Sequence, residues 1–250
     1  MLHPDFLTRP IAHRGLHGPG APENSAAAFR AAIAAGHAIE LDVQPAADGT
    51  PLVFHDDRLD RMTGLPGPVS GLTAAQAAGL RLAGTDEGIP TLAEVLELVA
   101  GRVPLLIEIK DQDGALGPEM GDLPGAVAGL LGGYGGPVAV MSFNPHAAAM
   151  VGRAAPAIPV GLTSCAFDRD DWPDVPPQRR DRLARLADFD GAGACFVSHH
   201  HLDLDNPAVV ALRARGVPVL CWTIRSAEEE RAARRVAANI TYEGYAPCAS

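Results

Sequence analysis

The sequence predicts an α/β fold in which eight parallel strands, each followed by a helix, close into a (β/α)8 barrel of the TIM type. Short apolar runs alternate with helical stretches along the whole chain, which is typical of βα units and a parallel sheet. Eight of these runs are candidates for parallel strands, and 250 residues is a usual length for such a barrel. The glycine-rich fingerprint of an open dinucleotide-binding sheet is absent after the first run.

The eight predicted parallel strands are short runs rich in branched and apolar residues. In chain order they are residues 10–13, 38–43, 103–109, 138–141, 158–162, 195–198, 217–222 and 239–242. A ninth run, residues 51–55, follows Asp48-Gly49, which is a hairpin turn signal. Because tight hairpins join antiparallel strands, we expect this run to add to the strand that ends at Val43.

The starts of the helices are predicted from their capping residues. Asn24 is the expected N-cap of a helix over residues 25–35, and Gly36 follows its end. Capping-box pairs predict three further helix starts, at Thr73/Gln76, Thr91/Glu94 and Ser226/Glu229.

We expect residues 1–250 to form a single domain with one insertion. Residues 56–89 do not fit a simple βα unit, because they contain Gly64, Gly67, Gly71, two prolines and one short helix near Thr73. We predict that they form an insertion at the catalytic mouth of the barrel. Residues 168–190 form a second polar excursion, rich in Asp and Arg, and are not expected to be a separate domain.

The composition excludes several classes of protein. Thirty acidic and 20 basic side chains give a net charge of −10, so a surface for nucleic acid or anionic membrane is not expected. The chain has no run of about 18 uncharged apolar residues, so we expect no stable membrane insertion. We expect a cytoplasmic protein, because no signal peptide is visible and the four widely spaced cysteines suit free thiols. The oligomeric state cannot be predicted.

Three predicted strands carry polar pairs near their carboxyl ends: His13-Arg14, Glu40-x-Asp42 and Glu108-x-Lys110. Residues two apart on a strand share a face, which in a barrel can be the interior mouth where active sites lie. Glu40, Asp42 and Glu108 would form an all-oxygen cluster that suits one divalent cation, Mg²⁺ or Ca²⁺, and disfavours a zinc hydrolase. The alternative is a buried ion-pair network with Arg14 and Lys110.

Two histidines, His13 and His55, end strand-like runs and would converge on this mouth. Histidine titrates near neutrality, so one of them could act as a general acid and the other as a general base. Arg14 and Lys110 would supply positive charge for an anionic substrate such as a phosphate. Lys110 is the only lysine in the chain, and a compact ammonium suits a crowded position beside a metal-bound phosphate.

The same residues carry a resemblance to a known family. The segments are Ile11-Ala12-His13-Arg14-Gly15, Pro22-Glu23-Asn24-Ser25 leading to Phe29, Glu40-Leu41-Asp42-Val43, Phe54-His55-Asp56, Leu59-x-Arg61-x-Thr63-Gly64, Ile89-Pro90-Thr91-Leu92, Ile107-Glu108-Ile109-Lys110, Ser142-Phe143 and Cys221-Trp222-Thr223. Together, and in this order, they closely resemble the glycerophosphodiester phosphodiesterases over essentially the whole chain.

The resemblance implies a PLC-like phosphodiesterase barrel that hydrolyses a small-molecule glycerophosphodiester to sn-glycerol 3-phosphate and an alcohol. It implies divalent-metal ligands at Glu40, Asp42 and Glu108, and an acid–base pair at His13 and His55. It also implies phosphate contacts from Arg14 and Lys110, and a substrate pocket lined by Trp222. The alcohol, the choice of acid and base, and direct hydrolysis against a cyclic phosphate intermediate stay open.

The chain departs from the family pattern at two places. Thr241-Tyr242-Glu243-Gly244 stands where many relatives have threonine-aspartate-arginine-proline, so the role of this strand end is open. His199-His200-His201 has no counterpart in the pattern. It could face the substrate from a strand end or lie in a solvent-exposed loop, and we expect the loop. Two other functions are considered: a phospholipase D-like enzyme of the same barrel class acting on lysophospholipids, and a non-catalytic barrel that binds metal or phosphate.

Overall fold

A computed structural model describes residues 1–248 and contains the predicted closed barrel. The strands are β1 (Ile11–Ala12), β2 (Ala38–Pro45), β3 (Pro51–Val53), β4 (Leu105–Ile109), β5 (Val138–Ser142), β6 (Val160–Ser164), β7 (Phe196–His200), β8 (Val219–Ile224) and β9 (Asn239–Tyr242). All except β3 pair in parallel, in the order β1-β2-β4-β5-β6-β7-β8-β9. Strand β1 also pairs with β9, which closes the barrel.

Strand β3 is the expected antiparallel addition to β2. Val43 lies opposite Val53, and Pro45 lies opposite Pro51. The pairing continues past β3, because the Phe54 N–H donates to the carbonyl oxygen of Asp42 at 3.0 Å. This hairpin therefore holds His55 close to the carboxyl end of β2.

Helices cover the outside of the barrel and one end of it. They are α1 (Asp5–Thr8), α2 (Ala26–Ala35), α3 (Asp60–Thr63), α4 (Ala74–Ala78), α5 (Leu92–Val99), α6 (Leu123–Leu131), α7 (Pro145–Ala154), α8 (Pro177–Ala184), α9 (Pro207–Ala214) and α10 (Ala227–Ala233). The capping boxes at Thr73 and Thr91 are confirmed. No helix within residues 1–248 has the length and apolar character needed to span a membrane.

The prediction that Asn24 caps α2 is wrong. Ser25 is the N-cap, since its side chain accepts the N–H of Ala28, whereas Asn24 has a left-handed backbone with φ of 55°. Both residue types are good helix caps, so the sequence could not separate them. The third predicted capping box is half formed, because Ser226 accepts the Glu229 N–H while the Glu229 carboxylate accepts the N–H of Arg225.

Alternating residues of each barrel strand pack on opposite sides. On β4, Leu105, Ile107 and Ile109 belong to the large apolar cluster that includes the surrounding helices. Leu106 instead belongs to a smaller cluster with Met141, Phe196 and Leu220, closed at one end by Leu2 and Phe6. This second cluster fills the barrel below Glu108, so polar side chains start above a packed apolar layer.

Residues 56–89 contain more regular structure than the one short helix predicted. They hold α3, a single 3₁₀ turn at Val69–Gly71, and α4. Their apolar side chains form a small cluster with Leu52 and Phe54, so the segment packs on the β3 hairpin. Residues 168–190 include α8, a mainly polar helix held by one buried residue, Leu183. A helix with so narrow an apolar face gives little periodic signal in a sequence.

The packed layer inside the barrel gives a test of the fold. Gly161 on β6 lies beside Phe196, and a Cβ atom there would stand 2.5 Å from the phenyl ring. Gly161→Ala is therefore expected to destabilise the protein by about 1–3 kcal/mol through overpacking, measured by urea unfolding. Gly125→Ala on the exposed face of α6 meets no atom within 4 Å and is the control. It should instead raise stability by up to about 1 kcal/mol. Equal effects of the two substitutions would contradict this view of the core.

Candidate active site

All eight residues that the sequence predicts for the site line one cavity at the carboxyl ends of the barrel strands. They are His13, Arg14, Glu40, Asp42, His55, Glu108, Lys110 and Trp222. The cavity has a volume of about 170 Å³, and Met141, Phe143 and Thr241 complete parts of its wall. This is the end of the barrel where parallel αβ-barrel enzymes carry their active sites.

Strand geometry explains why the acidic residues meet. Glu40 and Asp42 lie two residues apart on β2, so their side chains share the inner face. The intervening Leu41 packs in the apolar cluster outside the barrel. Asp42 is the register partner of Glu108 on the neighbouring β4, so the two carboxylates are side by side. The i, i+2 pattern in the sequence therefore predicted the shared face correctly.

Glu40, Asp42 and Glu108 form a buried carboxylate cluster. Their side chains offer oxygen atoms that lie within 4.8 Å of one another, and the residues are only 2%, 1% and 5% exposed. Burial, together with the charges of Asp42 and Glu108, raises the pKa of Glu40 well above its usual range. Three carboxylate donors in this arrangement match the oxygen ligands that Mg²⁺ and Ca²⁺ prefer.

Lys110 bridges two of these carboxylates. Its Nζ lies 2.7 Å from Asp42 Oδ1 and 2.5 Å from Glu108 Oε1. Burial alone would lower the pKa of the ammonium, but the two carboxylates outweigh burial and hold it well above its usual range. Burial would likewise raise the pKa of Asp42, and the charges of Lys110, His55 and Arg14 instead hold it far below its usual range.

Arg14 contributes through both its main chain and its side chain. Its N–H donates to Glu40 Oε2 at 2.9 Å, and its guanidinium contacts Glu23 at 2.8 Å and Asp42 at 3.4 Å. The backbone at Arg14 and Gly15 is left-handed, with φ of 53° and 79°. A Cβ atom on Gly15 would stand 2.9 Å from both Ala28 and Phe29, so only glycine fits after Arg14.

Asn24, predicted from the sequence as the cap of α2, instead lies in the candidate site. Its Nδ2 donates to Asp42 Oδ2 at 2.9 Å, and the side chain is buried. Because Ser25 caps α2, Asn24 is free to orient the carboxylate from the left-handed conformation that asparagine tolerates. The sequence did place Asn24 directly after Glu23, an acidic residue that contacts Arg14 in the structure.

Each histidine of the site has a carboxylate on the same ring nitrogen. His13 Nδ1 lies 2.5 Å from Glu243 Oε2, and His55 Nδ1 lies 2.7 Å from Asp56 Oδ1. An ionised carboxylate only accepts, so Nδ1 carries the proton in both rings and Nε2 is left for the cavity. Burial lowers the pKa of His13, although the hydrogen bond to Glu243 opposes this shift.

A second ring of charges surrounds the histidines. The other oxygen of Glu243 accepts from Arg225 at 2.8 Å, and His17 Nε2 lies 3.5 Å from Glu243 Oε2. The hydrogen bond from His13 and the nearby His17 help to hold the pKa of Glu243 far below its usual range. Asp56 accepts from Arg61 at 2.7 Å, and Arg61 also contacts Glu23. None of these six residues was singled out as a site residue from the sequence, although Glu243 lies in the segment that departs from the family pattern.

The prediction that His199–His201 forms a solvent-exposed loop is wrong. His199 and His200 end β7, and His201 begins a 3₁₀ turn. His199 is fully buried between Ser164 and Asp203, and burial lowers its pKa although Asp203 opposes the shift. His200 packs on Trp222 with the ring centres 5.0 Å apart. The sequence did not reveal this strand end, because a polar run of this kind is found both in loops and at strand ends near a barrel mouth.

Comparison with known proteins agrees with this geometry. Residues 13–240 match the model of the glycerophosphoryl diester phosphodiesterase family. The relative YhdW of Bacillus subtilis (strain 168) is 30% identical over 225 residues, which cover 86% of each chain. A glycerophosphodiester phosphodiesterase of Caldanaerobacter subterraneus is 35% identical over 164 residues, covering 61% of this chain and 65% of that relative.

A solved structure is similar to this chain in both fold and sequence. A phosphodiesterase of Oleispira antarctica, determined in complex with the product sn-glycerol-3-phosphate, superposes with a TM-score of 0.77 and 26% identity. The match covers 95% of this chain and 93% of that one. The fold and the relatives thus define a phosphoric diester hydrolase built on a (β/α)8 barrel. The chain belongs to the glycerophosphoryl diester phosphodiesterase family, whose enzymes hydrolyse glycerophosphodiesters.

The position of Lys110 predicts a large effect on stability. Lys110→Met would leave Asp42 and Glu108 buried without their bridging cation, and removal of one partner from a buried pair costs about 3 kcal/mol or more. The free energy of unfolding, measured with urea in excess chelator, should fall by this amount. Arg185→Met removes one partner of an exposed pair with Asp181 and should change stability by less than about 1 kcal/mol. Similar losses in both variants would contradict the bridging role.

Proposed function

We propose that this enzyme hydrolyses glycerophosphodiesters to sn-glycerol 3-phosphate and an alcohol, using one divalent cation and the histidine pair His13 and His55. The observation that supports this most strongly is the arrangement of the two imidazoles. Both line the cavity of the carboxylate cluster, and both have Nδ1 held by a carboxylate. Because Nδ1 carries a proton in each ring, Nε2 can accept a proton when the ring is neutral and donate one when the ring is charged.

The carboxylate cluster fits a hard divalent cation, Mg²⁺ or Ca²⁺. Glu40, Asp42 and Glu108 would hold it, because three buried oxygen donors lie within 4.8 Å of one another and repel each other when all are ionised. The ion would polarise a phosphoryl oxygen and favour ionisation of a coordinated hydroxyl. The absence of histidine and cysteine from the cluster argues against zinc.

Arg14 and Lys110 would contact the phosphate. Both side chains line the same cavity as the histidines, and both carry a full positive charge held by neighbouring carboxylates. Positive groups placed in advance stabilise the extra charge that develops on the phosphoryl oxygens in the transition state. Trp222 also lines the cavity and would contact the substrate, with its ring held by the indole N–H that donates to the carbonyl oxygen of Ser198 at 3.0 Å.

The two histidines would divide the proton transfers. Nε2 of one ring would accept the proton of the hydroxyl that attacks phosphorus as the bond to the leaving alcohol breaks. Attack by water gives glycerol 3-phosphate directly, whereas attack by the neighbouring glycerol hydroxyl gives a cyclic phosphate that water then opens. Nε2 of the other ring donates a proton to the oxygen of the leaving alcohol. Glu243 and Asp56 would stabilise whichever ring is positively charged, since each accepts from Nδ1.

The proposed reaction is tested by its product and by metal removal. Incubation with a panel of glycerophosphodiesters should release sn-glycerol 3-phosphate, and a chelator should lower the rate by about 10²-fold or more, with recovery on addition of Mg²⁺ or Ca²⁺. Glu108→Gln should lower the apparent affinity for the added ion. Glu97→Gln on the exposed face of α5 should not. Activity that chelator leaves unchanged would overturn the metal assignment, and cleavage of lysophospholipids alone would favour the phospholipase D-like alternative.

The histidine pair is tested with two leaving groups. His13→Ala and His55→Ala should each lower kcat on a natural glycerophosphodiester by about 10²-fold or more, whereas His3→Ala at the far end of the barrel should not. A p-nitrophenyl ester needs no proton on its leaving group. The variant that lacks the general acid should therefore recover on that ester, and the variant that lacks the base should stay slow. Near-normal turnover in both variants would refute the acid–base assignment.

A further inference from the structure

A larger cavity adjoins the proposed catalytic cavity. It has a volume of about 820 Å³ and shares five lining residues with the catalytic cavity, which are His55, Glu108, Lys110, Phe143 and Trp222. A substrate whose phosphate lies between Arg14 and Lys110 would extend into this space. The outer cavity is therefore the place for the part of the substrate on the far side of the phosphate.

We propose that the outer cavity binds the leaving alcohol and selects a cationic one, in which a quaternary or primary ammonium group is carried on a short chain. This inference rests on the proposed function and names the substrate class that the sequence left open. It is drawn from two independent features of the cavity wall: a set of half-buried aromatic rings and a set of carboxylates without cationic partners.

The aromatic wall consists of Phe143, Trp172 and Trp222, all half-buried and all lining the cavity. Phe143 lies at the centre, with its ring 5.0 Å from Trp172 and 5.5 Å from Trp222. Phe167 is buried behind them and packs on both Phe143 and Trp172, which fixes the position of the rings. Aromatic faces that converge on a cavity attract alkylammonium groups through their negative π clouds.

Four carboxylates complete the wall: Asp57, Asp111, Asp171 and Asp174. Every one of them lacks an Arg, Lys or His partner within 4.0 Å among residues 1–248, although many other carboxylates of the chain have one. Asp57 and Asp111 accept only from neutral donors, the side-chain amides of Gln44 and Asn144 and the Leu116 N–H. No basic side chain therefore neutralises these two carboxylates, which both line the cavity.

Lys110 is the one lysine or arginine that lines this cavity, and its charge is already paired. Lys110 lies against Asp42 and Glu108 on the catalytic side, so it does not neutralise the outer carboxylates. An anionic alcohol would be repelled by this wall, and a neutral polyol could donate hydrogen bonds to the carboxylates but would bring no positive charge to them. A cationic alcohol would gain from both parts of the wall, since attraction to several carboxylates adds to the contact with the rings.

Relative turnover of four substrates tests the proposal. The values of kcat/KM are measured for glycerophosphocholine, glycerophosphoethanolamine, glycerophosphoglycerol and glycerophosphoinositol under one set of conditions. The two cationic substrates should be preferred over the two neutral ones by about tenfold or more. Equal kcat/KM values, or a preference for the neutral alcohols, would overturn the proposed selectivity while leaving the proposed reaction intact.

Two double variants of one loop distinguish the effect of the cavity-lining carboxylates from a general effect of charge. Asp171→Asn combined with Asp174→Asn should lower the ratio of kcat/KM for glycerophosphocholine to that for glycerophosphoglycerol by about tenfold. Asp168→Asn combined with Asp170→Asn removes the same charge from exposed positions that do not line the cavity, and should change both substrates by less than about twofold. All four positions are exposed, so these variants are expected to fold.

The aromatic half of the proposal has its own variant. Trp172→Leu keeps an apolar side chain and removes the ring, so it should lower kcat/KM for the choline ester more than for the glycerol ester. Equal losses for both esters, in this variant or in the double Asp171/Asp174 variant, would overturn the cation site. Failure to release glycerol 3-phosphate from any of the four substrates would instead overturn the proposed function, and the inference with it.

Discussion

The burial of three carboxylates at one end of a closed barrel is the constraint that organises this protein. Unpaired charges in such a place are strongly unfavourable, so each oxygen needs a donor or a cation. Lys110 bridges Asp42 and Glu108, Asn24 donates to Asp42, and the Arg14 main chain donates to Glu40. The left-handed backbone at Arg14 and Asn24, and the glycine at position 15, allow these donors to point inward.

The same constraint extends outward through alternating charges. From the carboxylates the chain of contacts runs through Arg14 to Glu23, then through Arg61 to Asp56 and His55. On the other side, His13 contacts Glu243, which contacts Arg225. Each imidazole thus contacts a carboxylate that in turn contacts an arginine, and the two sets of residues come from opposite ends of the sequence. The positions of both rings depend on ion pairs in which the carboxylates are 15% to 24% exposed, whereas the Arg61 and Arg225 side chains are exposed to solvent.

The strand order, the hairpin after β2 and the grouping of the eight site residues were predictable from the sequence, because strand alternation and hydrophobic periodicity are local signals. Three features were not. Asn24 and Ser25 are equally good caps, and only the position of Asp42 decides between them. Glu243 meets His13 across 230 positions of sequence, a contact that follows from closure of the barrel by β9 and β1. The polar run at His199 conceals a strand end, since its partners Ser164 and Asp203 are brought there by tertiary packing.

Lys110 is the only lysine of the chain, and its side chain is 16% exposed and bound between two carboxylates. The described surface consequently presents positive charge as guanidinium alone, apart from the amino terminus. Reagents that acylate primary amines have no exposed lysine to modify, and a lysine-directed protease has one candidate bond in the whole chain, at the end of β4. Apart from the amino terminus, the described outer face therefore offers no primary amine to such reagents, while the one side-chain amine lies in the cavity with His13 and His55.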